Sequence, residues 1–231
     1  METGKYILNY LIPQRCILCS NIINVIKLHY PICYECSNNL LQLDNNCCNI
    51  CGFPLISEST RCLRCRDSKF NYISNVSLYV YSGNVKEVIY QYKFQHKKSI
   101  SLFFAAKIAD IIIKKYPEYI IVPVPGRKIV KKKIGWEHID LISNILKQKY
   151  KLPVQKILTR KGSKAQKTLS REKRAENLRK NIKLRKRIKK LPEQVVLLDD
   201  VFTTGTTINE CAGILKDAGV SKIYSLTIAI D

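Results

Sequence analysis

The stretch QVVLLDDVFTTGTTI, residues 194–208, decides the fold that we expect for this chain. It opens with a run of Val and Leu at residues 195–198 and continues with the acid pair Asp199 and Asp200. An apolar run without alternation is typical of a strand that is buried on both faces of a parallel sheet. The acid pair therefore falls at the carboxyl end of a predicted central strand, where open α/β sheets bind their ligands.

A hydroxyl-rich turn follows the acid pair, and a helical pattern begins after the turn. The turn consists of Thr203, Thr204, Gly205, Thr206 and Thr207. Gly205 allows the backbone to curl so that successive N–H groups face inward, and the N-terminus of the helix adds partial positive charge. The sequence thus predicts a cradle for a phosphate monoester.

The acid pair must face another part of the same ligand, because carboxylates do not bind phosphate. Hydroxyl groups and a Mg²⁺ ion are their natural partners, so the predicted ligand is a ribose 5-phosphate derivative. A P-loop would need a Lys after the glycine, and a dinucleotide fingerprint would need three spaced glycines; neither is present. The alternative is a core strand that ends in solvated acids and a helix cap. The stretch resembles the phosphoribosyl-pyrophosphate (PRPP) motif of type I phosphoribosyltransferases.

Nine of the ten cysteines lie between residues 16 and 65. Eight of them form four pairs with two residues between the partners: Cys16 and Cys19, Cys33 and Cys36, Cys48 and Cys51, Cys62 and Cys65. Such a pair points both sulfurs at one centre, and four thiolates complete a zinc tetrahedron. We expect two structural Zn²⁺ sites, with the first pair joined to the second and the third joined to the fourth. Disulfides would need an oxidising compartment, and nothing in the sequence directs the chain to one. An iron–sulfur cluster is a further alternative, although the cysteines do not have a spacing typical of one.

Strand and helix patterns alternate from residue 76 onward. The predicted strands are 76–81, 119–124, 195–198 and 222–230, with an extended segment at 154–158, and the predicted helices are 84–94, 102–116 and 138–149. This alternation predicts an α/β domain with a parallel sheet at 71–231, preceded by a double zinc-ribbon domain at 1–70. No run is long and apolar enough for a membrane span, and the start of the chain does not read as a signal peptide, so we expect a cytoplasmic protein.

The formal net charge of +22 is concentrated between residues 127 and 190, which hold 24 Lys or Arg against 4 acids. Within this part, residues 161–190 are almost entirely polar and predict a long mobile loop or a partly formed helix. Such a basic segment can close over a polyanion, either pyrophosphate or single-stranded DNA. A membrane surface and a merely solvated lysine-rich face are the alternatives.

From about residue 16 to residue 230 the chain resembles the ComF/GntX family. The resemblance rests on the cysteine pairs, Lys93-Phe94, Pro123-Val124-Pro125, Arg160, Gln166, Leu169-Ser170, Arg174, Asn177 and the Asp199-Asp200 motif. Proteins of this family join a cysteine ribbon to a phosphoribosyltransferase domain and are linked to DNA uptake in natural competence. The resemblance implies a type I phosphoribosyltransferase-like fold and partners in the DNA-uptake machinery.

The resemblance also implies that PRPP binds with Mg²⁺. Asp199 and Asp200 would hold the ribose hydroxyls and stabilise positive charge at the anomeric carbon, while residues 203–207 would hold the 5-phosphate. Lys93, Lys133 and Gly135 are expected to bind PRPP, and Arg160, Gln166, Arg171 and Arg174 to contact the polyanion.

One stretch departs from the family pattern. Where the family usually has Arg-Arg-Gly-Phe-Asn-Gln, this chain reads Lys133-Ile134-Gly135-Trp136-Glu137-His138. Ile134 cannot make the bidentate phosphate contacts of an arginine. Two functions therefore remain open: binding of PRPP alongside DNA handling, or transfer of ribose 5-phosphate to a nitrogen base.

Overall fold

We describe the chain from a computed structural model. The described residues are 13–23, 31–40, 43, 46–56, 59–126, 135–161, 181–186, 188 and 190–231. The helices are α1 (Tyr34–Asn38), α2 (Leu63–Arg66), α3 (Gly83–Lys93), α4 (Ile100–Lys115), α5 (His138–Gln148) and α6 (Thr206–Asp217). The strands are β1 (Asn75–Val80), β2 (Ile120–Pro123), β3 (Leu158–Arg160), β4 (Ile182–Leu184), β5 (Gln194–Phe202) and β6 (Lys222–Ile230). Within these residues, no helix combines the length and the apolar character that crossing a bilayer requires.

Four strands form one parallel sheet in the order β1-β6-β5-β2. The apolar run 195–198 lies in β5, and all four of its side chains are fully buried between β6 and β2. The predicted α/β fold with a parallel sheet is therefore confirmed. The strand runs on to Phe202, four residues past the predicted end at Leu198, so Asp199 and Asp200 lie within its last four residues and the threonine turn follows it.

Successive side chains of β5 enter two different cores, one on each face of the sheet. Val196 and Leu198 pack with α3, α4 and α5, which form one layer. Val195 and Leu197 pack on the other face with α6 and with the antiparallel pair of β3 and β4. The architecture is thus a three-layer arrangement around a four-stranded sheet.

The zinc-ligand segment contributes to both of these cores. Cys16 belongs to the core on the α3–α5 face, whereas Cys48, Cys51 and Cys65 belong to the core on the α6 face. The second ribbon is also tied to β1, because the backbone N–H of Asn75 donates to the carbonyl of Ile50 at 2.8 Å and its Nδ2 donates to the carbonyl of Cys51 at 2.9 Å. The ribbon therefore closes against the β1 edge of the sheet.

Two predicted segments differ from the structure. The extended segment 154–158 is divided, since residues 153–155 bridge to Ile121 beside β2 and the strand β3 starts only at Leu158. The basic segment 161–190 was predicted as a loop or helix, yet its residues Ile182–Leu184 form β4, antiparallel to β3. Pairing with β3 buries the side chain of Ile182, which explains why a strand forms among so many lysines. Residues 162–180 of this segment lie outside the described part of the chain.

Candidate functional site

The turn between β5 and α6, which the sequence predicts to be a phosphate cradle, contains a glycine with a left-handed backbone. Gly205 occupies the N-cap position of α6 with a φ of +69°, a left-handed conformation that glycine adopts most easily. A Cβ atom at Gly205 would lie only 2.5 Å from Cζ of Phe202, so a side chain is also excluded by space. The hydroxyl oxygens of Thr204 and Thr206 lie 2.8 Å apart, and Thr203 and Thr204 are exposed. The turn therefore offers hydroxyl and N–H groups to solvent at the start of a three-turn helix.

The acid pair is held by its own backbone and by a lysine from another element. The N–H of Asp200 donates to Oδ1 of Asp199 at 2.8 Å, and the N–H of Val201 donates to Oδ1 of Asp200 at 2.6 Å. Lys93, in the last turn of α3, places its Nζ 2.6 Å from Oδ2 of Asp200. The structure thus brings Lys93 and Asp200 together, two residues that the sequence singled out for separate reasons.

The carboxyl groups around Lys93 have unequal proton affinities. Burial, together with the charge of Asp200, raises the pKa of Asp199 to about 8. Burial likewise raises the pKa of Glu137 to about 6, while burial and the charge of Lys93 lower the pKa of His138. Asp199 and Glu137 therefore hold their protons more tightly than ordinary carboxyl groups do, and perturbed groups of this kind are common where ligands bind.

Arg160, predicted to contact a polyanion, borders a small cavity of about 130 Å³ beside the end of β2. Lys156 and Arg185 contribute two further cations to its lining, and Glu137 and Asp140 contribute acids. An ion pair of 2.7 Å joins Lys156 to Asp140. Neither Lys156 nor Arg185 was singled out individually from the sequence, because each is one of 24 basic residues between 127 and 190.

The stretch that departs from the family pattern is only partly described. Gly135 is exposed with a φ of +81°, and the rings of Trp136 and His138 are in contact, tilted by 59° with centroids 4.8 Å apart. The hydroxyl of Tyr92 donates to the carbonyl of His138 at 2.7 Å, which fixes the start of α5 against α3. Four predicted site residues, Lys133, Gln166, Arg171 and Arg174, lie outside the described residues.

The eight paired cysteines form two clusters of four. Cys16, Cys19, Cys33 and Cys36 make the first, Cys48, Cys51, Cys62 and Cys65 make the second, and within each cluster the four sulfurs lie within 4.8 Å of one another. The pairing of the first with the second pair, and of the third with the fourth, is therefore confirmed. All eight thiols are free, so disulfides do not account for the clusters.

The geometry of both clusters fits zinc. Zn–S bonds of about 2.3 Å in a tetrahedron separate the sulfurs by about 3.8 Å. One sulfur pair in each cluster, Cys19 with Cys33 and Cys51 with Cys62, is separated by 3.7 Å. Burial raises the pKa of Cys16, but N–H donors from Cys19, Cys33 and Leu18 more than compensate and lower it to about 6. Four cysteines without an open position are the ligand set of a structural zinc site.

Known proteins are similar both to the cysteine-rich segment and to most of the chain. Residues 7–66 match the model of the double zinc ribbon domain. The chain is 26% identical over 214 residues to Competence protein ComFC of Bacillus subtilis, covering 88% of this chain and 86% of that protein. It is 29% identical over 219 residues to Competence protein F of Haemophilus influenzae, covering 90% and 93%. It is also 24% identical over 208 residues to DNA utilization protein YhgH of Escherichia coli, covering 84% and 88%.

Proposed function

The chain belongs to the ComF family, and we propose that it binds the ribose 5-phosphate part of PRPP and takes part in DNA uptake by handling single-stranded DNA. One observation carries the first half of this proposal. A glycine-centred threonine turn and an acid pair stand next to each other at the carboxyl end of the central strand β5. The first suits a phosphate and the second suits hydroxyls, which are the two ends of a ribose 5-phosphate.

In this proposal the phosphate lies in the cradle of residues 203–207. The N–H groups at the start of α6 and the hydroxyl groups of the turn donate to its oxygens. Thr204 and Thr206 bond to each other, so their hydroxyl groups are already close enough to converge on one oxygen of a ligand. The left-handed backbone at Gly205 is the conformation that allows successive N–H groups of a turn to face one side.

The acid pair binds the ribose in this proposal. Asp199 and Asp200 hold the 2- and 3-hydroxyls, and they are the residues that would hold a Mg²⁺ ion, since Mg²⁺ prefers carboxylate oxygens. The ion would neutralise the charge on the pyrophosphate of PRPP. Lys93 keeps Asp200 in place in the free protein and stands within reach of the same ligand. Because Lys93 comes from α3 and the acids come from β5, ligand binding depends on packing between these two elements.

Calorimetric titration of Mg²⁺-PRPP into the zinc-loaded protein tests this proposal. Thr204→Arg fills the cradle and is expected to abolish the binding heat, whereas the matched Thr204→Ser keeps the hydroxyl and should bind as the parent does. Asp200→Asn removes one charge at nearly constant volume, and we expect affinity to fall at least about tenfold, the usual loss for a hydrogen bond to a charged group. Undiminished binding by Thr204→Arg would contradict the placement of the phosphate.

A second candidate function is ribose 5-phosphate transfer to a nitrogen base. The position of the acid pair favours it, because two carboxylates beside the anomeric carbon would stabilise an oxocarbenium-like transition state. In this reaction the nitrogen forms a bond to the anomeric carbon while the bond to pyrophosphate breaks. The test is pyrophosphate release from PRPP that depends on an added base. Binding of PRPP without release across a panel of nucleobases would leave the first candidate as the function.

The second half of the proposal rests on the relatives and on charge. Relatives that match 84–90% of the chain are named competence proteins and a DNA utilization protein. The excess of basic residues between 127 and 190 provides an electrostatic track for a nucleic-acid backbone. Lys183 and Lys186 are exposed members of this segment. If each contacts a phosphate, changing it to Ala should lower the slope of log affinity against log salt by about 0.7 on a single strand. A slope that neither change alters would count against these contacts.

A further inference from the structure

A large groove runs between the second zinc cluster and the phosphate cradle. It encloses about 900 Å³, which is at the upper end of the range for small-molecule sites. Phe53, Phe70 and Phe202 line it, so aromatic rings come from the ribbon, from the segment before β1 and from the end of β5. The cradle borders it directly, since Thr203 and Thr204 belong to the same lining.

Two apolar side chains of the ribbon stand exposed in this groove. Ile56 is fully exposed, and Leu63, the first residue of α2, is 79% exposed. Exposed apolar side chains that cluster in a concave surface indicate a binding site, whereas single ones scattered over a surface do not. Both residues lie in the ribbon and not in the α/β domain. The second zinc cluster therefore holds in place the exposed apolar side chains of the groove, in addition to stabilising the fold of the ribbon.

Three arginines, Arg61, Arg64 and Arg66, surround the apolar part of the groove, and all three are exposed. The guanidinium carbon of Arg64 lies 5.7 Å from the ring centre of Phe53, so the two side chains form a cation–π contact. A zinc tetrathiolate carries a charge of about −2, and Asp231 adds an acid to the lining. The arginines offset these charges, so the groove is nearly neutral as a whole but carries positive groups along its rim.

We propose that this groove binds a base of single-stranded nucleic acid, with the adjoining phosphates on Arg61, Arg64 and Arg66. Stacking on aromatic rings combined with arginine contacts to phosphate is the usual way in which proteins hold single strands. A nearly neutral aromatic slot suits an uncharged planar base better than a free phosphate or an acidic peptide. This inference rests on the DNA handling proposed above and assigns part of it to the zinc ribbon.

The test is equilibrium binding of a fluorescent oligothymidylate to the zinc-loaded full chain, measured by anisotropy across a salt series. Leu63→Ala removes an apolar contact to the base, and we expect affinity to fall about fivefold with the salt slope unchanged. Arg64→Ala removes a phosphate contact, so it should weaken binding and lower the salt slope by about 0.7. Arg15→Ala is the matched control, because Arg15 is an exposed arginine at the other zinc cluster and lies outside the groove. It should change neither quantity.

A strand of abasic nucleotides separates base contacts from backbone contacts. On this strand Leu63→Ala should bind like the parent, since there is no base for Leu63 to touch. The inference would be overturned if Leu63→Ala weakened binding of the two strands equally, or if it weakened binding of neither. If the parent binds oligothymidylate while Leu63→Ala and Arg64→Ala both match it, the DNA handling stands and the groove has another occupant. If the parent binds no oligonucleotide, the proposed DNA handling itself fails. The zinc content of each variant is measured to check that the variant has folded.

Discussion

Replacement of Gly205 by alanine tests the geometry of the cradle more directly than any change to a threonine. The backbone at Gly205 has a φ of +69°, and a left-handed conformation costs a residue with a Cβ about 1–2 kcal/mol. The new Cβ would also stand 2.5 Å from Cζ of Phe202. Phe202 is itself buried and lies edge-on to Tyr72 with ring centroids 6.5 Å apart. Overpacking of this kind costs about 1–3 kcal/mol, so we expect Gly205→Ala to lower the free energy of unfolding by about 2–5 kcal/mol.

Gly219 provides a matched control for the backbone part of this cost. Its φ is +99°, also in the positive range, but nothing lies within 4 Å of a Cβ built there. Gly219→Ala should therefore cost only the backbone share, about 1–2 kcal/mol. The difference between the two variants, measured by urea unfolding of the zinc-loaded protein, isolates the contact with Phe202. Equal destabilisation by both variants would refute the close approach of Phe202 to the cradle.

A double variant checks the same contact from the other side. Phe202→Leu shortens the side chain that the new Cβ meets, so the Gly205→Ala change should cost less in that background than in the parent. The coupling between the two positions is then favourable, as expected for residues in direct contact. Strict additivity would mean that the ring and the cradle do not touch. The same variants should be titrated with PRPP, because a displaced cradle backbone would weaken the proposed phosphate contacts while the acid pair stayed intact.

Other changes probe the rest of the molecule. Glu137 has a pKa raised from 4.5 to about 6, so the folded state holds its proton more tightly and loses stability as the pH rises from about 4.5 to 6. Glu137→Gln retains an acceptor for the N–H of Asp140 and should be more stable than the parent by about 1–2 kcal/mol at pH 7, but not at pH 4, in urea melts. Cys62→Ser should leave one zinc ion per chain by metal analysis, since each cluster needs four ligands; two ions would contradict the ligand set. Asn75→Ala removes bonds to the ribbon carbonyl of Cys51 and to buried hydroxyl groups, and should cost about 2–4 kcal/mol in thermal melts.

Features set by short-range chemistry could be predicted from the sequence. A spacing of two residues between cysteines fixes the direction of both sulfurs, so the zinc ligands follow from the sequence alone. The apolar run at 195–198 identified the central strand, and the strand Lys222–Ile230 has the predicted bounds. In each case the signal lies within a few residues, so no knowledge of the rest of the fold is needed.

Features made by contacts between distant segments could not be predicted. Lys93 and Asp200 come from different elements, and nothing in either neighbourhood indicates their ion pair. Ile182 and Leu184 alternate among basic residues, a pattern too short to identify a strand before its partner β3 is known. The groove is built from the ribbon, from Phe70 and from the end of β5, so it exists only once these three parts meet. Its phenylalanines, its exposed apolar residues and its arginines were not singled out, because none of them belongs to a motif in the sequence.

Both edges of the parallel sheet have neighbours that are not strands of the sheet. Residues 153–155 bridge to Ile121 at the β2 edge, and Ile50 and Cys51 of the second ribbon bond to Asn75 at the β1 edge. An uncovered strand edge is a template on which another chain can add a strand. Loss of zinc from the second cluster would release the ribbon and leave β1 open to a second copy of the chain. We therefore expect a cell that is short of zinc to lose this protein to aggregation, and not to accumulate a folded pool that regains activity when the metal returns.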